Sequence, residues 1–297
     1  FGSSYPVSGV GPAYHRAGRP AVLCPQMAHG NLSDVVFLAL VGIATQWLAF
    51  PDTLYQDIGA VKAQFTAKGK DIDLVLAVGA SLLVFIGTVF SGVKWNKMNG
   101  KVTGLFSFIA AGSSAYSTFK SDGDTFVPRF LYLYCFVLFL GGLAVFALYS
   151  NPMPPKTPQT KNNHGNFADT IALGLFLVSM SWFFFPDHLF QDFGPVKAQF
   201  SSKSPDLFAM IRLVAGLLLV AAGMLFGVKW NPINGKLSGL GALGAAGYSA
   251  RAALQADSGR FVPRLVYFYA ALLLLGAVHL MFFPSNPVPP KPGAKQE

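Results

Sequence analysis

The run PDTLYQDIGAVKAQF at residues 51–65 returns as PDHLFQDFGPVKAQF at residues 186–200. From this block the match extends outward without a gap: at a constant offset of 135, residues 29–156 repeat as residues 164–291, with about 55 of 128 positions identical. His29-Gly30-Asn31 answers His164-Gly165-Asn166, Lys94-Trp95-Asn96 and Asn99-Gly100-Lys101 recur at 229 and 234, and Phe126 to Arg129 recur at 261. Such a chain is a duplication, and what one half does structurally the other must nearly repeat. The division that follows is an extended tail (1–28), a first repeat (29–156), a linker (157–163), a second repeat (164–291) and a short C-terminal tail (292–297).

Composition points to a membrane. Of 297 residues 53% are apolar and only 12% charged, 28 are phenylalanine, and mean hydropathy is +0.47. Those values are too apolar for an ordinary soluble chain. Each copy holds four apolar stretches: 33–50, 72–93, 102–119 and 126–149 in the first, 168–185, 207–228, 237–254 and 261–283 in the second. Each is close to the roughly 20 residues a helix needs to cross a bilayer. The expected fold class is therefore an all-α membrane protein of two tandem four-helix transmembrane repeats, eight spans in all. An even number of spans per copy relates the copies by a parallel pseudo-two-fold axis along the membrane normal, unlike inverted repeats.

The chain ends then share a side with the Lys-Trp-Asn loops and the Pro-rich linker. The 22 basic residues divide evenly between the faces, but ten of the 13 acids lie on the side away from the chain ends. That leaves the terminal side the more basic and the more cytoplasm-, stroma- or matrix-like, although acids weigh little in this rule. A net charge of +9 suits anionic lipid or an acidic partner, and no nucleic-acid motif accompanies it. Cys24 and Cys135 are too far apart in any such arrangement for a disulfide framework.

Residues 1–33 contain no acid but carry Arg16, Arg19 and several serines and tyrosines, the composition of an organellar leader or its remnant. The chain starts at Phe1, and the stretch resembles the plastid leaders of algae with red-lineage plastids. The resemblance implies a thylakoid location, with the mitochondrial inner membrane as the alternative. A tail of this kind, if ordered, is expected to rest on a partner surface.

In the 51–65 block Leu54, Ile58, Val61 and Phe65 fall at i, i+4, i+7 and i+11, as do Leu189, Phe193, Val196 and Phe200. That stripe predicts an amphipathic interfacial helix, N-capped by Asp52 and restarted at Pro195 in the second copy. Its polar residues are Asp52, Asp57, Lys62 and Gln64, with Asp187, Asp192, Lys197 and Gln199 in the second copy. They read either as a gate or binding patch or as part of a lid that fixes helix tilt. The third spans carry small residues four apart, Ser107, Ala111 and Ala115 against Ala242, Ala246 and Ala250, a pattern for close helix contact. Arg129 and Arg264 are expected to meet lipid headgroups or Asp122 and Asp257.

Differences between the copies draw notice because folding alone does not demand them. Arg212 replaces Ala77, Arg251 replaces Tyr116, His279 replaces Ala144, and Gln46 stands where the second copy has Ser181. Intramembrane charges invite a functional reading, although Arg212 and Arg251 lie near helix ends and can snorkel. His279 is a candidate ligand for a chlorophyll magnesium or a haem iron. His29, His164 and His188 at the membrane edges, and Gln46, are further pigment-ligand candidates. No phosphate loop, zinc-protease pair or nucleophile elbow is present, and no glutamate occurs before Glu297, so a non-enzymatic role is expected.

The span pattern with a Phe-Pro-Asp block after the first helix, Phe50-Pro51-Asp52 and Phe185-Pro186-Asp187, resembles the DoxX-like four-span membrane proteins, here doubled. The resemblance brings no catalytic residues to carry over. Two functions are expected in competition. One is a non-catalytic subunit of a large photosynthetic supercomplex, scaffolding other membrane subunits and binding chlorophyll, carotenoid or lipids. The other is a membrane transporter built from duplicated bundles, which would need polar groups converging near the midplane.

Overall fold

The computed structural model describes residues 29–92, 95, 97–147, 165–226 and 232–283. Residues 1–28, 148–164 and 284–297 and the Lys229-Trp230-Asn231 segment lie outside them, and so do His164 and Cys24. The described residues form eight α-helices and no strands. In the first half these are α1 (His29–Ala49), α2 (Lys70–Gly92), α3 (Lys97–Ser121) and α4 (Phe130–Ala147). The second half supplies α5 (Gly165–Phe184), α6 (Pro205–Leu225), α7 (Pro232–Ala256) and α8 (Leu265–Phe282).

Six of the eight, all but α3 and α7, are long and apolar enough to cross a membrane. The other two have 25 residues each, about 37 Å of helix, but dilute their apolar content with glycine, serine and lysine. The helix α2 is apolar almost all round and α6 nearly so, and 83% and 89% of their spans are buried, against 33–44% for the other four. An all-round apolar helix belongs in the middle of a bundle, and these two take that place.

The halves interlock. α1 packs on α2, α2 on α7, α7 on α8, α8 on α5, α5 on α6, α6 on α3, α3 on α4 and α4 on α1, while α2 meets α6 across the centre. The middle helix of each half thus leans on the small-residue third helix of the other. Glycine makes this possible: a methyl group added to Gly216 on α6 would lie 2.6 Å from Ala110 Cβ on α3. Hydroxyls stitch the same seams, with Ser81 Oγ 3.0 Å from Ser249 Oγ between α2 and α7. Within the second half, Ser179 Oγ donates to the Ala215 carbonyl between α5 and α6 at 2.7 Å.

Two local expectations are corrected. The 51–65 block is not an amphipathic helix. It is a single 3-10 turn, Pro51–Tyr55, followed by a tight reversal in which Ile58 and Val61 exchange both backbone hydrogen bonds, at 2.8 and 3.0 Å. Gly59 at φ +60 and Gly194 at φ +56 make the bend, a conformation that side chains rarely adopt. The apolar stripe is split accordingly: Leu54 and Phe65 are buried, whereas Ile58 is 48% exposed. Nor does Asp52 cap the turn, whose preceding residue is Phe50 with no side-chain cap. The fourth helices also start late, at Phe130 and Leu265, because Pro128 and Pro263 hold the preceding chain extended and their carbonyls accept from Lys62 and Lys197 at 2.7 Å.

Candidate functional site

The end of the bundle formed by these loops carries ten acids, some in the loops and some, such as Asp71 and Asp206, in the first turns of helices. Asp57 Oδ1 accepts from the Ala63 N–H at 2.9 Å and Oδ2 from Lys62 Nζ at 2.7 Å. Asp192 does the same with Ala198 at 2.8 Å and Lys197 at 2.7 Å. These bonds, the lysine contact first, hold both carboxyls below the usual aspartate range. Asp52 pairs with Lys68, and Asp187 with Lys203.

Beneath this layer the loops are pinned to the fourth helices. Gln64, 2% exposed, accepts through Oε1 from the Leu131 N–H at 3.1 Å, and Gln199 accepts from Val266 at 2.9 Å. Each amide thereby satisfies one of the N–H groups that a helix start leaves open. Arg129 donates from Nε to both oxygens of Asp122 at 3.0 Å, from Nη2 to Oδ1 at 2.6 Å, and from Nη1 to the Ala63 carbonyl. Arg264 repeats this with Asp257 and Ala198. Of the two partners expected for these arginines, the acids are the ones met. The fork raises the pKa of both guanidinium groups.

Chemically this is a clamp. Each acid of the polar block has its own base or backbone donor, and among the described residues no three His, Cys, Asp or Glu side chains gather to hold a metal ion. Tyr55 lies under the same loop, and burial followed by the charges of Asp73 and Asp52 pushes its phenol up to about 12.

The remaining candidates are dispersed. Gln46 spans α1 to α4: its Oε1 accepts from the Tyr134 hydroxyl at 2.8 Å and its Nε2 donates to Thr53 Oγ1 at 3.1 Å. His279 is buried against the rings of Phe167 and Phe283, with centroids 5.1 and 5.8 Å away. His188 sits at the loop face with Nδ1 on the Phe185 carbonyl and its ring beside Phe193. His29 begins α1, with its side chain outside the described set. Arg212 donates to Ser117 Oγ at 2.9 Å, tying α6 to α3, whereas Arg251 is exposed. Cys135 is buried with a free thiol.

Two features escaped the sequence reading. Asp71 and Asp206, in the first turns of α2 and α6, each reach into the loop of the opposite half. Their recurrence at an offset of 135 was a visible signal, but its target was not. The second is a cleft of about 320 Å³ between α1, α2 and α7, lined by Trp47, Lys70, Asp73, Tyr248 and Gln255 among others. The second half has Pro205, Phe208 and Arg212 where the first has Lys70, Asp73 and Ala77, so this polar cleft is not duplicated.

Comparison with family models, with curated proteins and with solved structures finds no match to this chain.

Proposed function

We propose that the chain is a non-catalytic integral membrane subunit of a larger complex, crossing the bilayer eight times as two tandem four-helix repeats about a parallel pseudo-two-fold axis. The observation that carries the reading is the distribution of surface. The central helices are sealed, a set of ion pairs gathers at the loop end, and the outer helices turn large apolar side chains outward. Phe136, Phe139 and Phe146 on α4 are exposed, as are Phe268 and Phe282 on α8. Such faces suit lipids, pigments or neighbouring subunits. The third helices, long enough but diluted with small residues, also cross: each packs on two helices by one side and turns apolar side chains such as Leu105, Ile109, Leu240 and Leu243 outward on the other.

Transport would ask for acids or amides facing one another across the axis near the midplane. Among the described residues, polar contacts joining the halves within the spans include the Ser81–Ser249 hydroxyl pair and Arg212 on Ser117, neither of them a facing pair of acids or amides. The setting we propose is a photosynthetic complex of a plastid thylakoid, supported by the acid-free, arginine-bearing composition of residues 1–28, with chlorophyll and carotenoid as the pigments. Gentle solubilisation of native membranes, separation by size and an absorption spectrum test both parts. Migration with a large chlorophyll-bearing particle is expected. A small, colourless particle would overturn the complex, and a large colourless one would overturn the setting alone.

A further inference from the structure

The two halves treat one buried tyrosine differently. In the first, the Tyr134 hydroxyl donates to Gln46, which donates on to Thr53, so the wedge between α1, α4 and the loop is filled. At the same positions the second half has Tyr269, Ser181 and His188. The shorter Ser181 turns back and donates to the Val178 carbonyl at 2.9 Å. Tyr269 stays in place, 1% exposed, and its hydroxyl has no hydrogen-bond partner. Where the glutamine side chain is missing there is space: a cavity of about 360 Å³ lined by Ser181, Trp182, His188, Phe193, Phe268 and Tyr269, among others.

A buried hydroxyl without a partner is costly, and natural structures leave few. Tyr269 forms part of the wall of this groove, which has no charged residue apart from the titratable His188, whose Nδ1 is already engaged by the Phe185 carbonyl. Ser181 has also spent its proton. The Tyr269 O–H is thus an unspent donor, with the Trp182 indole in the same wall, and the groove asks for a neutral ligand with an acceptor oxygen. Phe268 and Phe193 at its rim are about half exposed, so it opens sideways between α5 and α8, towards lipid if the chain spans the bilayer as proposed. The volume holds a ring or a glycerol-ester head but not a long chain, which would lie outside along α5 and α8.

We propose that this groove binds a neutral, apolar membrane molecule through a carbonyl oxygen that accepts from Tyr269. The inference rests on the membrane reading but not on any partner complex. Two sources share the chemistry, the ring ketone of an isoprenoid and the acyl ester of a glycerolipid. The test reconstitutes the purified full chain with canthaxanthin, a diketone carotenoid, and with β-carotene, its counterpart without oxygen. Retained pigment is measured by absorbance, and retained diacyl lipid by native mass spectrometry.

One canthaxanthin per chain, with β-carotene retained at least about tenfold less, identifies the ketone; one tightly held diacyl lipid and no carotenoid preference identifies the ester. In either case Tyr269→Phe weakens retention about three- to tenfold, the value of one neutral hydrogen bond. Tyr134→Phe leaves it unchanged. The double substitution Ser181→Gln/His188→Thr copies the brace of the first half into the second and abolishes retention, while circular dichroism confirms the fold. Retention of neither molecule, or retention indifferent to both Tyr269→Phe and the double substitution, overturns the site. Co-migration with a complex is read separately, so the two proposals fail independently.

Discussion

Asp71 accepts hydrogen bonds from both the backbone N–H and the hydroxyl of Ser201, 130 residues away in the other half, at 2.7 and 2.9 Å. The same Oδ2 also takes the Ser202 N–H at 2.8 Å and its hydroxyl at 3.1 Å. Reciprocally, Asp206 Oδ2 accepts from the Thr66 N–H at 3.0 Å and its hydroxyl at 3.1 Å. Residue i of one half meets j of the other and j meets i, the logic of a two-fold interface written within one chain. Each carboxylate also lies in the first turn of a central helix, where negative charge is favoured.

Asp71→Ala is expected to cost about 1–2 kcal/mol, because it strips the acceptor from four donors at an exposed site. Asp206→Ala should cost less, having two donors to lose. Thermal unfolding of the detergent-solubilised chain, followed by circular dichroism, checks the order; equal costs would show that the helix terminus matters more than the loop contact.

The Arg129 fork leaves Asp122 with 4% of its side chain exposed. Removing the cation would strand a buried carboxylate, so Arg129→Ala is expected to cost about 3 kcal/mol, and Arg264→Ala nearly as much. Arg129→Lys should recover little of it, since an ammonium cannot serve both Asp122 oxygens and the Ala63 carbonyl together. The double substitution Arg129→Met/Asp122→Leu, which removes both charges, should be far milder than Arg129→Ala in the same melting assay.

Much of this was legible in the sequence, for identifiable reasons. Long apolar runs show helices directly, and the offset of 135 predicted matching loops and ion pairs in both halves, but not the late starts of the fourth helices. The loop itself was misread because Ile58 and Val61, three apart, fit one face of a helix as well as they fit the two ends of a glycine bend. Periodicity cannot separate those cases; the positive φ of Gly59 does. The small-residue stripe on α3 announced close helix contact but not its partner. Ser107 of that stripe meets Gly142 on α4 of the same half, whereas Ala110, beside the stripe, meets Gly216 on α6 of the other, a pairing that depends on three-dimensional closure that neither copy encodes alone.

Gly216 tests that closure. Its neighbour Ala110 offers backbone as well as Cβ, with the Cα 2.9 Å from where a methyl would sit, so neither helix can yield by turning a side chain. Gly216→Ala is expected to destabilise by about 1–3 kcal/mol through overpacking. Gly112→Ala on α3, where an added methyl meets nothing within 4 Å, should be neutral or slightly stabilising in the same melting experiment.

The two buried tyrosines predict opposite behaviour in ligand-free protein. Tyr134→Phe removes the donor to Gln46 Oε1 and should cost about 1 kcal/mol. Tyr269→Phe removes a buried hydroxyl with no partner and should be neutral or stabilising. Equal losses would mean that the Tyr269 hydroxyl has an internal partner after all.

Acid should loosen the loop end by a definite route. Asp57 and Asp192 titrate below the usual aspartate range when folded, held there by Lys62 and Lys197 and by the N–H groups of Ala63 and Ala198. Their contribution is therefore present above the ordinary carboxyl range and is lost as pH falls through the depressed folded value. Asp57→Asn/Asp192→Asn should melt below the parent chain at pH 7, and the gap should close only as pH falls through the depressed folded value, where the parent carboxyls become protonated too. Both groups are exposed and salt screens them, so high ionic strength should narrow the gap at pH 7 as well. A gap that stays constant from neutral to acid pH would locate the benefit of these residues in backbone geometry and not in their charge.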